Sequence, residues 1–77
     1  WSTRLEQVKV TDESPFAGRS LAECDIRSKT GAMVVSVRDA SGVFHTNPSA
    51  DREVEPGEII IAMGTGEQLN ALVRAAQ

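Results

Sequence analysis

The 77 residues contain one cysteine, one histidine, no tyrosine and only 4% aromatic residues. A single cysteine excludes an intrachain disulfide and fits a reducing compartment. Cys24 and His45 lie in different segments with no third group to orient them, so a cysteine nucleophile is set aside. Cys24 reads as a small apolar residue on a short helix. With only Trp1, Phe16 and Phe44 as aromatics, the core must be built from Val, Ile, Leu, Met and Ala. The longest apolar run is Ile59–Met63, far below the roughly 20 residues that cross a bilayer, and no signal peptide is visible. The eight basic residues are scattered and the net charge is −3, so no nucleic-acid footprint is present. No nucleophile–base pair, metal-ligand cluster or phosphate loop stands out. Neither a catalytic residue nor a metal site is expected, and the chain does not read as an enzyme.

What is present suits one small soluble domain over residues 1–77, with residues 1–4 as a flexible lead-in. Hydrophobic residues make up 40% and charged residues 25%. A chain of this length hides only about 60% of the surface its unfolded form exposes, so self-association is a reasonable expectation. A start at Trp1 rather than Met suggests a piece of something longer.

The pattern reads as strand, helix, three strands, helix. "LEQVKV" (5–10) places Val8 and Val10 on one face, a half-buried strand. "TDESPFAG" (11–18) is a loop, and Ser20 with Glu23 has capping-box spacing for a short helix from Leu21 to about Ile26. In "AMVVSVRD" (32–39), strict alternation gives Met33, Val35 and Val37 as the core face. Ala32, Val34, Ser36 and Arg38 fall on the other. "DASG" turns the chain into "VFHT", and Asn47-Pro48 ends that hairpin strand. After the Pro56-Gly57 turn, "EIIIAMG" (58–64) reads as a strand buried on both faces or nearly so. Thr65 with Gln68 caps an amphipathic helix carrying Leu69, Leu72, Val73 and Ala76. The fold class is α+β: a small two-layer domain with a sheet on helices.

"GTG" at 64–66 invites a dinucleotide reading, because strand–GxG–helix opens such units. The third glycine of that fingerprint would fall at Leu69, which begins the apolar stripe, and no further βα unit follows. The two glycines are read as a tight strand-to-helix turn.

The order and spacing of Gly18 and Leu21, Gly31 to Arg38, Asn47-Pro48, Pro56-Gly57 with Ile59–Ile61, and Gly64-Thr65 with Glu67 and Leu69 resemble the TrkA C-terminal, or RCK C-terminal, domain. The resemblance covers roughly residues 5–74. The family's usual Gly-Asp before the last strand is Gly57-Glu58 here, and Asp39 replaces a second basic residue after Arg38. The resemblance implies a homodimeric regulatory domain on the cytoplasmic side of potassium channels, uptake systems or cation/proton antiporters, commonly after a Rossmann-like domain or attached to a membrane pore domain. Some members bind cyclic di-AMP or another small anionic ligand between two subunits; others only dimerise.

Under that resemblance the candidate ligand residues are Arg38, Ser36, Asn47, Pro48 and His45. Arg38 beside Ser36 offers a fork for a phosphate, or it simply pairs with Asp39. Asn47-Pro48 would meet an adenine edge and face, or serve only to end a strand. His45 would titrate near neutral pH in the same cleft, or is an ordinary exposed side chain. Val34, Ile60 and Ala62, taken to face away from the core, are the candidate dimer contacts. Asp51, Glu53, Glu55 and Glu58 match no calcium loop and read as a solvated connector rather than a metal site.

Overall fold

The computed structural model describes residues 2–77. Its elements are β1 (Arg4–Lys9), β2 (Arg19–Ser20), α1 (Leu21–Cys24), α2 (Ile26–Thr30), β3 (Met33–Arg38), β4 (Phe44–Thr46), β5 (Glu53–Val54), β6 (Ile59–Gly64) and α3 (Gly66–Ala76). A four-stranded antiparallel sheet has the order β1-β6-β3-β4, and β2 and β5 form a separate two-stranded ladder. Helix α3 lies over β1 and β6, while α2 lies against β3 and α3. β1 begins at Arg4, the last residue of the expected lead-in; Trp1 lies outside the described residues.

Local chemistry explains the helix boundaries. Ser20 Oγ accepts from Glu23 N at 3.1 Å and Ser20 N donates to Glu23 Oε1 at 2.9 Å, a complete capping box. These bonds from Ser20 also hold the Glu23 carboxyl below its ordinary value. The helix does not stop near Ile26 as expected. Asp25 takes φ 52° and breaks it into α1 and α2; α2 then runs to Thr30 and is closed by Gly31 at φ 83°. An aspartate tolerates the left-handed region better than most residues, so the break was not announced by a glycine. At the other helix start, Thr65 Oγ1 accepts from Gln68 N at 3.2 Å and Gln68 Oε1 accepts from Thr65 N at 2.9 Å. Gly64 and Gly66 are not among the positive-φ residues. They serve by leaving room: a Cβ on Gly64 would sit 2.8 Å from Gln68 Oε1, and one on Gly66 would meet the Arg4 guanidinium.

The expected alternation along β3 fails at one point. Val34 pairs with Ala62 but Ser36 pairs with Ile61, so Val35 is an extra residue in a β-bulge. Side chains before and after the bulge therefore share faces across an odd spacing. Ala32 and Val37 are fully buried with Val34 packed against the same core, whereas Met33 is 45% exposed. The same register corrects β6. Ile60 and Ala62 are 0% exposed and sit under the helices, so they cannot form the dimer contacts expected of them. The outward side chains are their neighbours Ile59, Ile61 and Met63, only half-buried, on a face that none of the described elements covers. The strand is thus buried on one face, not both.

In the connector before β6, Asp51, Glu53 and Glu55 are exposed as expected, but Glu58 departs from the solvated reading. Leu21 N donates to Arg52 O and Ala22 N to Ala50 O, both at 2.9 Å, and Val54 is fully buried. Glu58, 7% exposed, accepts from Glu55 N at 3.0 Å and from Arg52 Nη1 at 3.2 Å. A buried carboxylate satisfied in this way fixes the turn at Pro56-Gly57, and losing Arg52 would leave it unpaired at a cost of about 3 kcal/mol.

The face assignment has a direct check. Ile60→Ala is expected to lower stability in urea by about 3 kcal/mol, as for a large core side chain truncated to alanine. Ile61→Ala in the monomeric chain should cost less than half as much. Equal losses would restore a β6 buried on both faces.

Candidate functional site

A surface cleft of about 320 Å³ opens between α1, α2, the start of β3 and the loop after β4. Its lining is mostly apolar: Leu21, Ala22, Ile26, Ala32, Val34, Pro48 and Ala50, with Met33 at the side. Asp25 and Arg27 supply one charge of each sign. Each wall follows from local structure. The break at Asp25 turns α2 so that Ile26 is buried in the core while Arg27 reaches the cleft. The bulge keeps Val34 on the core side, where it becomes floor instead of outer surface. Asn47, at φ 52° with its N–H donating to Val35 O at 2.8 Å, turns the chain out of β4 and delivers Pro48.

Among the expected ligand residues, only Pro48 lines this cleft, with Asn47 next to it. Val34, expected at a subunit contact, also lines it. Ser36 and Arg38 lie on the outer face of the sheet, cross-strand from Thr46 and Phe44. Ser36 Oγ lies 3.5 Å from Thr46 Oγ1, and Arg38 Cζ stands 5.9 Å from the centre of the Phe44 ring. Arg38 therefore neither pairs with Asp39 nor faces the cleft. His45, in β4, reaches back to the hairpin turn: its Nε2 is 2.8 Å from Asp39 Oδ2. Among the described residues no group of three His, Cys, Asp or Glu side chains could hold a metal ion. No helix among them is long and apolar enough to cross a membrane.

A family model for the TrkA-C domain matches residues 5–77. The chain is a TrkA-C domain. It is 35% identical over 68 residues to "Probable potassium channel protein 2" of Methanocaldococcus jannaschii, a match covering 88% of this chain and 20% of that protein. The chain thus spans a fifth of that relative's length. Among solved structures, the RCK C domain of the potassium transport protein KtrA in complex with cyclic diadenosine monophosphate superposes with a TM-score of 0.84 at 25% identity, over 95% of this chain and 82% of that one. The RCK_C domain dimer of S. agalactiae BusR in complex with c-di-AMP gives 0.84 at 22% identity, covering 92% of each chain.

Sequence reasoning missed the cleft-lining Leu21, Ala22, Arg27 and Ala50 of this TrkA-C domain. Its capping boxes were visible, but the left-handed Asp25 that aims Arg27 was not. Nor was the pairing of residues 50–54 onto the start of α1. Cys24, buried at 2% exposure, is no nucleophile candidate; burial raises its thiol above the usual value.

Asp39 carries most of the hairpin's polar geometry. Oδ1 accepts from Ser41 N at 3.0 Å, Ser41 Oγ at 2.8 Å and Val43 N at 3.0 Å, while Oδ2 faces His45. These bonds, the one with His45 foremost and then those with Ser41 and Val43, hold the carboxyl well below its ordinary 3.8. A depressed carboxyl contributes stability that is complete above the unfolded value and is lost as the pH falls toward the folded one. A carboxyl-carbon NMR titration should therefore find Asp39 still ionised at about pH 3, where an ordinary aspartate is mostly protonated. The stability gap between the native chain and Asp39→Asn should shrink below about pH 4. A carboxyl that titrates normally would show that the turn does not depend on the charge.

Proposed function

We propose that this TrkA-C domain is the ligand-sensing part of a cytoplasmic regulator of potassium transport. In this reading two copies enclose a small anionic ligand of the cyclic di-AMP kind between their clefts. The observation that carries it is the cleft itself: an apolar floor, one proline ring, one guanidinium and an open side. At about 320 Å³ it is near the low end of small-molecule sites, which run from about 300 to 1,000 Å³. It suits one nucleoside half. A cyclic dinucleotide has two identical halves, so a second copy facing the first across a two-fold axis completes the site. Pro48 would pack on a base, Asn47 stand at its edge, and Arg27 meet a phosphate. Met33 and Ala50 at the mouth, with Val34 in the floor between them, would take the place of Ile60 and Ala62 as the subunit contacts. The ligands named for the KtrA and BusR domains support this reading.

Control of transport then requires that the ligand prefer one dimer geometry over another, since equal affinity shifts nothing. A Rossmann-like or pore domain in the same or a partner protein would carry the change to the ion path. A second reading, a coupling module of a cation/proton antiporter or other transporter that dimerises without ligand, is favoured by one observation. Asp25 lies in the same lining as Arg27 and offsets the only cation there.

Calorimetric titration with cyclic di-AMP separates the two. Arg27→Ala should weaken binding about tenfold, the worth of one charge-assisted phosphate contact. Pro48→Ala should weaken it several-fold, and Arg38→Ala should leave it unchanged. A dimer that shows no heat at near-millimolar ligand would leave the coupling module standing.

A further inference from the structure

The outer face of the four-stranded sheet offers a second surface, separate from the ligand cleft apart from Met33, which borders both. Cross-strand pairing sets Leu5, Met63 and Met33 in one row, Ile61 in the next, and Lys9, Ile59, Arg38 and Phe44 in a third. Leu5, Met33 and Phe44 are 59%, 45% and 58% exposed; scattered singly such side chains would be ordinary, but here they share one face with Ile59, Ile61 and Met63. The face is therefore apolar at one end and cationic at the other. None of its strand positions carries a carboxylate, although the chain has eleven acidic residues against eight basic ones.

We infer that this face docks a polypeptide segment of complementary make-up: an apolar stretch that covers the Leu5–Met63–Met33 row, ending in carboxylates that meet Lys9 and Arg38. Charge complementarity decides against the other occupants. A second copy packed face to face across a two-fold axis brings only neutral and cationic side chains to Lys9 and Arg38. A copy offering its acidic connector at 51–55 instead brings carboxylates but no apolar stretch for the Leu5–Met63–Met33 row, since Val54 is already buried in its own core. An anionic membrane would gain only about 1 kcal/mol from each of two cations, too little for stable attachment. An acid-ended apolar segment satisfies both ends at once, with the charges setting its direction.

The test follows the methyl NMR signals of Met33 and Met63, the chain's two methionines, both on this face. Two synthetic peptides share the same leucine-rich apolar stretch, one ending in glutamates and one ending in lysines. The glutamate peptide is expected to move both signals, more weakly as salt rises. Lys9→Glu combined with Arg38→Glu should weaken it about tenfold or more and turn the preference toward the lysine peptide. Unchanged Leu72 and Val37 methyl signals would confirm that the double variant is folded. The inference is overturned if neither peptide binds, or if both bind alike. It also fails if the Met63 signal, away from the cleft that Met33 borders, moves with chain concentration alone, which marks a second copy on this face, or if vesicles containing phosphatidylserine move both signals while the glutamate peptide does not. Met63, Lys9 and Arg38 all lie outside the cleft lining, so these outcomes leave the ligand question untouched.

Discussion

One extra residue, Val35, sets the two sides of this domain. Without it, β3 would turn Met33 and Val37 to the same face and send Val34 out beside Arg38. With it, Ala32, Val34 and Val37 all reach the helices, and Met33, Ser36 and Arg38 all face outward. The bulge therefore does two things that a regular strand cannot do together. It gives the cleft an apolar floor at the start of β3, and it places the hairpin's arginine on the far side of the sheet. A bulge is a local loss of ladder pairing, and strands keep such a loss where re-aiming side chains matters more than regularity.

This explains which parts of the molecule were legible in its sequence. Capping boxes at Ser20/Glu23 and Thr65/Gln68, the Asp39–Gly42 turn and the stripe Leu69, Leu72, Ala76 are written in contiguous residues, and all are present. The bulge is not, because alternation is a pattern of sequence while register is a property of the neighbour. In β3 every residue from Ala32 to Val35 is apolar, so a one-residue slip leaves no mismatch in the pattern to betray it. The faces of Ile60 and Ala62 were misassigned for the same reason, since "IIIA" reads equally well either way. The ladder between residues 18–22 and 50–54 was hidden because most of its members are charged or small, and Leu21 and Val54 alone make no apolar periodicity.

The candidate site was legible in the same partial way. Asn47-Pro48 pointed to the right place, because a residue with positive φ followed by a proline is a local device for leaving a strand. Arg38 and His45 pointed to the wrong one. Arginine suggests a phosphate from its chemistry alone, but its partners here are the Phe44 ring on the outer face and, for His45, the Asp39 carboxylate in the turn. The cation that does reach the cleft, Arg27, lies on a helix whose direction depends on the left-handed Asp25.

A domain this small cannot hide both faces of its sheet. Two short helices and α3 cover one side, and the thin aliphatic core lies there. The cleft and the outer sheet face are then the two places where further burial can be gained, at opposite sides of β3. In the proposed regulatory role, coupling would use two contacts that change together. β3 would join them: its first half forms the cleft floor and its second half carries Arg38 on the outer face, with the bulge between. A ligand drawing two copies together at the cleft would press on Met33, the residue shared by both surfaces. Occupancy on one side would thereby alter the fit on the other, without requiring the core to rearrange.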